Sequence, residues 1–169
     1  MSVCALIIIK RNSQRVPGKN FRDLAGRPLF RHILDTLEAT HAVDRVLINT
    51  DARDDLERHG LRESDRLVIQ DRSPELCGDH VTANTLLQAM VGVLPADIYL
   101  MTHATNPLLR RETVQTAIER YRTAILRDEG DSLFSVTAHH ARFFGADFAP
   151  LNHDPNHLLP TQELSPLLE

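Results

Sequence analysis

A chain of 169 residues with 42% hydrophobic and 25% charged residues is long enough for a buried core and has the composition of a folded protein, which excludes disordered and fibrous classes. No apolar run approaches the roughly 20 residues that span a bilayer, so we expect a cytoplasmic protein without membrane contact. The net charge of −4 and the aromatic content of 5% argue against a nucleic-acid partner.

Apolar, β-branched runs alternate with helical patterns along the chain. The predicted strands are Val3–Ile9, Arg45–Thr50, Arg66–Gln70, Ile98–Met101 and Ser132–Thr137. Apolar residues recur at helical spacing over residues 29–37, 83–94 and 114–125. This alternation predicts an α/β sandwich with a buried, mostly parallel sheet.

Basic residues are concentrated near the amino terminus. Residues 1–31 contain a single acid, Asp23, against seven basic residues: Lys10, Arg11, Arg15, Lys19, Arg22, Arg27 and Arg31. Because ligands of α/β sheets bind beyond the carboxyl ends of strands, the segment after Ile9 is the first place to expect chemistry. A cluster of cations at this point predicts a local anion site.

The segment from Lys10 to Asn20 combines cations, hydroxyl and amide donors and a glycine, which suits a phosphate cradle. It is neither a Walker loop nor a dinucleotide-binding G-x-G-x-x-G fingerprint, which disfavours an NAD-dependent oxidoreductase. On chemistry alone, a solvated basic surface loop has the same pattern.

The chain changes character after Thr137. Residues 138–169 contain four histidines and four prolines and show little periodicity. We therefore divide the chain into an α/β core, residues 1–137, and an irregular arm, residues 138–169. A long irregular stretch of this kind often forms an interface, and Phe143, Phe144 and Phe148 provide apolar side chains for packing on another subunit.

Five segments occur in the order found in the acylneuraminate (sialic acid, or nonulosonic acid) cytidylyltransferases, which the chain resembles nearly end to end. They are IIIKRNSQRVPGKNFRDLAGRPLFRHIL, VLINTD, RSPELCGDHVTAN, MTHATNPLLR and NHDPNHLLPTQELSPLLE. The resemblance implies a three-layer, Rossmann-like (GT-A-like) nucleotidyltransferase fold. It also implies transfer of CMP from CTP to a nonulosonic sugar acid, with Mg²⁺ as cofactor and a homodimeric assembly.

The resemblance carries roles onto individual positions. Lys19 and Lys10 take the catalytic positions, and His103 and Thr105 lie on the sugar side. The implied nucleotide-binding residues are Lys10, Ser13, Gln14, Lys19, Asn20, Arg72 and Thr82.

Several positions depart from the family pattern. Lys10 and Pro160 stand where arginine is usual, Gln14 replaces a lysine, and His103 replaces a glutamine. Relatives bind magnesium through paired aspartates in a later segment, and no D-x-D pair occurs here, so we expect this chain to end before that segment.

The metal ligands are therefore unknown, with Asp51 and Asp79 as examples of acids available elsewhere. Two alternatives to the sialic-type enzyme stay open. One is a degenerate or truncated member that binds nucleotide without turnover. The other is a nucleotidyltransferase with a different sugar or alcohol acceptor.

Overall fold

The computed structural model describes residues 1–78 and 80–169. Its helices are α1 (Leu29–Glu38), α2 (Arg53–Arg58), α3 (Ala83–Val91) and α4 (Arg111–Leu126). Its strands are β1 (Val3–Ile9), β2 (Asp23–Leu24), β3 (Arg27–Pro28), β4 (Arg45–Thr50), β5 (Leu67–Asp71), β6 (Ile98–His103), β7 (Ala138–His139) and β8 (Leu167–Leu168).

The main sheet has the strand order β5-β4-β1-β6, and all of its described pairings are parallel. The central strand β1 is a continuous apolar run because parallel strands covered on both faces have no solvent side. The predicted bounds of β1 and β4 are confirmed, β5 is shifted by one residue, and β6 continues to His103.

The two faces of β1 enter different apolar layers. Val3, Ala5, Ile7 and Ile9 pack in a large cluster that includes residues of α1 and α4. Cys4 and Leu6 pack with residues of α3 on the other face. Helices therefore cover the sheet on both sides, which confirms the three-layer α/β fold.

The predicted strand Ser132–Thr137 is wrong, because the structure assigns no strand to these residues. Leu133, Phe134 and Val136 are largely exposed, so their apolar side chains do not line a sheet face. The backbone of Thr137 instead exchanges two hydrogen bonds with Glu169, at 2.8 and 3.0 Å, next to the antiparallel pair β7-β8. Strand propensity describes suitability for a half-buried surface, and here no such surface forms.

Residues 138–169 contain only short elements in the described structure. The Asn152 side chain links this segment internally, since it accepts from Phe143 N and donates to the carbonyl oxygens of Ala141 and Ser165. Within the ranges that the structure describes, no helix is long and apolar enough to cross a membrane. The assignment of residues 138–169 to a dimer interface stays a prediction.

Candidate functional site

The carboxyl ends of four parallel strands lie side by side at one edge of the sheet. In the pairing register, His103 is opposite Ile8, and Thr50 lies between Ile9 and Asp71. The loops after β1, β4, β5 and β6 therefore start from the same edge. This is the position at which α/β sheets bind ligands.

The loop after β1 is closed at its base by a buried amide. Asn20 is 6% exposed, and its Nδ2 donates to the carbonyl oxygen of Lys10 at 2.8 Å. Gly18 adopts a left-handed conformation, with φ of 61°, and opens a single 3₁₀ turn over Lys19–Phe21. The predicted binding residue Asn20 is thus also the residue that joins the two ends of the loop.

A second anchor fixes the loop from the side of α2. The backbone N–H of Arg11 donates to Asp51 at 2.7 Å, and the Arg11 guanidinium binds Asp54 and Asp55 in the first turn of α2. The hydrogen bond from Arg11 lowers the pKa of the Asp54 carboxyl below its ordinary value of 3.8. Arg11 therefore holds the loop in place, and its charge is already matched by carboxylates.

Two lysines stand at the two ends of this loop, and Arg15 is exposed between them. Lys10 and Lys19 are both partly buried. The Lys10 ammonium donates to the carbonyl oxygen of Gly78 at 3.3 Å, which connects the loop after β1 to the loop after β5. Ser13 is half-buried and Gln14 is exposed on the same loop. The predicted phosphate-binding side chains thus belong to one anchored segment.

Arg72 follows β5 and is 7% exposed. Its Nε donates to the side-chain oxygen of Asn49 at 2.7 Å, and its Nη2 donates to the backbone oxygens of Ile9 and Asn49 at 3.3 and 3.2 Å. Burial lowers the pKa of Arg72 below its usual value, while the Asp51 carboxylate acts in the opposite direction. Its Nη1 is buried without a hydrogen-bond partner in the described structure.

A cavity of about 600 Å³ opens beside Arg72 at the ends of β4 and β5, within the range of about 300–1,000 Å³ typical of small-molecule pockets. It is lined by Thr50, Asp51, Arg53, Asp54, Glu57, Asp71, Arg72, Pro74 and Cys77. Arg72 therefore places a cation on the wall of the cavity, and its charge favours a ligand that offers hydrogen-bond acceptors.

The other predicted residues occupy the rim of the same sheet edge. The Thr82 hydroxyl caps α3 by accepting from Thr85 N at 3.2 Å. His103 and Thr105 are exposed at and just beyond the end of β6. Since β6 pairs with β1 and β5 lies beyond β4, these two residues lie on the opposite side of the β1 loop from Arg72.

The carboxylates near this edge do not converge into a metal site within the described residues. No group of three or more His, Cys, Asp or Glu side chains suited to a metal ion is found in residues 1–78 and 80–169. Asp51 contacts the β1 loop and lines the cavity, whereas Asp79 lies outside the described residues. Mg²⁺ bound to a nucleotide needs only one or two carboxylates besides phosphate oxygens and water, and Asp51 is compatible with that arrangement.

Sequence reasoning missed the side chains that organise the site. Asn49, Arg11 and Asp54 make the contacts described above, but their partners lie 20 to 45 residues away along the chain. Asn49 within an otherwise apolar strand was the available signal, because a buried amide requires partners.

The sequence of the site and the fold that surrounds it match a known family. A family model described as cytidylyltransferase matches residues 5–147. The chain belongs to the cytidylyltransferase family.

Relatives of this family act on different acidic sugars, according to their names. The chain is 30% identical over 161 residues to the N-acylneuraminate cytidylyltransferase of Oncorhynchus mykiss, covering 90% of this chain and 36% of that protein. It is 29% identical over 122 residues to the 3-deoxy-manno-octulosonate cytidylyltransferase of Trichlorobacter lovleyi, covering 72% of this chain and 45% of the relative. The chain thus spans less than half the length of these two relatives.

Solved structures agree with the fold. A CMP:2-keto-3-deoxy-manno-octonic acid synthetase complexed with CTP superposes with a TM-score of 0.59 at 22% sequence identity. The match covers 73% of this chain and 48% of that structure. The likeness establishes the nucleotidyltransferase architecture of the cytidylyltransferase core.

Proposed function

We propose that this cytidylyltransferase-family chain binds CTP and transfers CMP to a nonulosonic, sialic-type sugar acid, with release of pyrophosphate. The observation that carries the proposal is the buried Arg72, which lines a cavity next to an anchored, lysine-bearing loop and has no carboxylate hydrogen-bonded to it in the described structure. Burying a cation without a carboxylate partner is costly, and a ligand acceptor at this position would offset part of that cost.

The triphosphate is assigned to the loop after β1. Lys10 and Lys19 would offset its negative charge, while Ser13 and backbone N–H groups of the loop would donate to phosphate oxygens. Gln14 keeps hydrogen-bonding capacity at the same segment without adding charge. Asn20 supports the loop through Lys10 O and thereby places these donors.

The base is assigned to the cavity beside Arg72. The carbonyl oxygen and ring nitrogen on one edge of cytosine accept hydrogen bonds, which matches a guanidinium donor. Thr82 stands at the start of α3, at the end of the loop that begins with Arg72, and is assigned to the cytidine part as well.

The acceptor sugar is assigned to the side of β6. In the reaction, the acceptor hydroxyl oxygen forms a bond to the α-phosphorus while the bond from that phosphorus to the bridging oxygen of pyrophosphate breaks. The hydroxyl proton passes to a solvent water during this step, and the electron pair of the broken bond stays on pyrophosphate. His103 and Thr105 would position the sugar, and the lysines would stabilise the charge that develops on the leaving group.

Magnesium is part of the proposal. Bound Mg²⁺ would neutralise charge on the phosphate oxygens, with Asp51 as the described carboxylate best placed to assist. A homodimer that uses residues 138–169 is proposed as well, since Phe144 and Phe148 are exposed there. Sedimentation that shows only monomer at high protein concentration would contradict the dimer.

A pyrophosphate-release assay tests the function. The chain is incubated with CTP, magnesium and either N-acetylneuraminate or 3-deoxy-manno-octulosonate, with UTP as the control nucleotide. Release that requires both CTP and N-acetylneuraminate supports the proposal. Release with the octulosonate alone would move the assignment to a different acceptor, and CTP binding without any release would favour a chain that binds nucleotide without turnover.

A further inference from the structure

The face of the sheet that packs against α3 is apolar until its carboxyl end. Leu6 and Leu47 lie in the apolar cluster with Met90, and Asn49 is the next residue of β4 on that face. Asn49 is fully buried, at 0% exposure. A buried amide weakens an apolar layer unless its hydrogen bonds are satisfied, so its partners show what it does there.

The Asn49 side chain belongs to a directed chain of hydrogen bonds. Its Nδ2 donates to Oε1 of Gln70, its register partner on β5, at 3.1 Å. The Nε2 of Gln70 donates to the carbonyl oxygen of Ala89 in α3 at 3.3 Å. Because the carbonyl oxygen of Ala89 can only accept, the Gln70 side chain must turn its nitrogen to Ala89 and its oxygen to Asn49. The Asn49 side chain must then turn its nitrogen to Gln70, which leaves its Oδ1 to accept from Arg72.

Asn49 holds Arg72 without neutralising it. The three acceptors of the Arg72 guanidinium in the described structure are the Asn49 side-chain oxygen and the backbone oxygens of Asn49 and Ile9. All three are uncharged, so the positive charge is retained. Asn49 supplies two of them, and Nη1 is left without a partner.

We propose that Asn49 is a positioning residue for the nucleotide site, which holds the Arg72 guanidinium at the wall of the cavity through the Gln70–Ala89 chain. This role rests on the proposed function, because it assumes that CTP is the ligand of the cavity. Asn49 itself does not contact the nucleotide.

A double-mutant cycle on CTP affinity tests the role. Asn49→Leu keeps the branched shape of the side chain, with a larger volume, and removes both the oxygen and the amide nitrogen. We expect CTP to bind about tenfold more weakly, which corresponds to the loss of roughly one hydrogen bond. Arg72→Met weakens binding at least as much. In the double variant, Asn49→Leu adds no further loss, because the residue acts only through Arg72. Each affinity is measured by calorimetric titration with CTP and magnesium.

Two further variants separate positioning from general destabilisation. Thr40→Val removes another buried side-chain bond, from Thr40 Oγ1 to Thr36 O at 2.8 Å, and should lower thermal stability while leaving CTP affinity unchanged. Gln70→Met changes a half-buried position and should weaken CTP binding about threefold, because it frees the Asn49 amide.

The outcomes distinguish this inference from the proposed function. A wild-type protein that binds CTP, together with an Asn49→Leu variant of unchanged affinity, would overturn the positioning role alone. The same conclusion follows if the losses from Asn49→Leu and Arg72→Met simply add. A wild-type protein that binds no CTP would overturn the proposed function, and the positioning role with it.

Discussion

Replacing Arg72 by methionine separates the contribution of this side chain to folding from its contribution to binding. Arg72 is 7% exposed, and its guanidinium donates to three uncharged oxygens. Hydrogen bonds from a charged donor stabilise by about 1.5–3 kcal/mol each. Burial of the ion costs several kcal/mol, so the two contributions nearly cancel.

We therefore expect Arg72→Met to change the free energy of unfolding by less than about 2 kcal/mol, which corresponds to a shift in Tm of less than roughly 8 °C for a chain of this size. CTP binding should weaken by about 10- to 100-fold, because a hydrogen bond from a charged donor is lost in the complex. Thermal unfolding and calorimetric titration of the same sample measure the two effects.

Arg122→Met is the matched control. The Arg122 Nε is also buried without a partner in the described structure, and its Nη2 donates to a backbone oxygen, that of Met1, at 2.7 Å. Met1 lies at the opposite edge of the sheet, so this variant should bind CTP as the wild type does. Unchanged CTP affinity in Arg72→Met, or loss of folding in that variant alone, would refute the reasoning.

The contacts that anchor the loops after β1 and β5 lead to further predictions. The hydrogen bond from Arg11 lowers the pKa of Asp54 from 3.8, so the stability that this pair contributes is present above pH 3.8 and is lost as the pH falls below it. The Tm values of wild type and Asp54→Asn should therefore differ above pH 3.8 and converge below it. Parallel Tm profiles would contradict the role of this pair as an anchor. Gly78 has φ of 109°, and an added Cβ would lie 2.9 Å from the His80 ring. Gly78→Ala should therefore lower the free energy of unfolding, measured with denaturant, by about 1–3 kcal/mol and weaken CTP binding. Gly92→Ala is the control, since Gly92 has φ of −73° and an added Cβ would meet no atom within 4 Å, and equal effects at the two glycines would contradict the argument.

The sheet was predictable where local pattern and burial agree. β1 is a continuous apolar run and β4 contains the apolar run 46–48, because both faces of the sheet are covered, and the bounds of both strands follow from the sequence alone. Ser132–Thr137 contains strand-forming residues such as Phe134 and Val136, but these side chains are exposed. Whether such a run joins a sheet depends on a partner strand far away in sequence, and here its end pairs with Glu169.

The candidate site was predictable in its charges and not in its connections. The lysines and the glycine of the β1 loop predict an anion site, although a solvated surface loop has the same pattern. The pairing of Arg72 with Asn49 depends on the register of β4 against β5, which no local pattern specifies. The ion pairs between Arg11 and the first turn of α2 likewise form because the carboxyl ends of β1 and β4 are neighbours in the sheet.

A nucleotide-binding comparison tests the central claim most directly. Tm is measured with CTP, UTP, ATP or GTP in the presence of magnesium, for the wild type and for Lys19→Ala. Ligand at about a hundred times its Kd adds roughly 2.7 kcal/mol, which is a shift of about 5–11 °C at this chain length. We predict this shift for CTP in the wild type, with a much smaller one in Lys19→Ala. Equal shifts with all four nucleotides, or none with CTP, would contradict the assignment of the sheet edge as a CTP site.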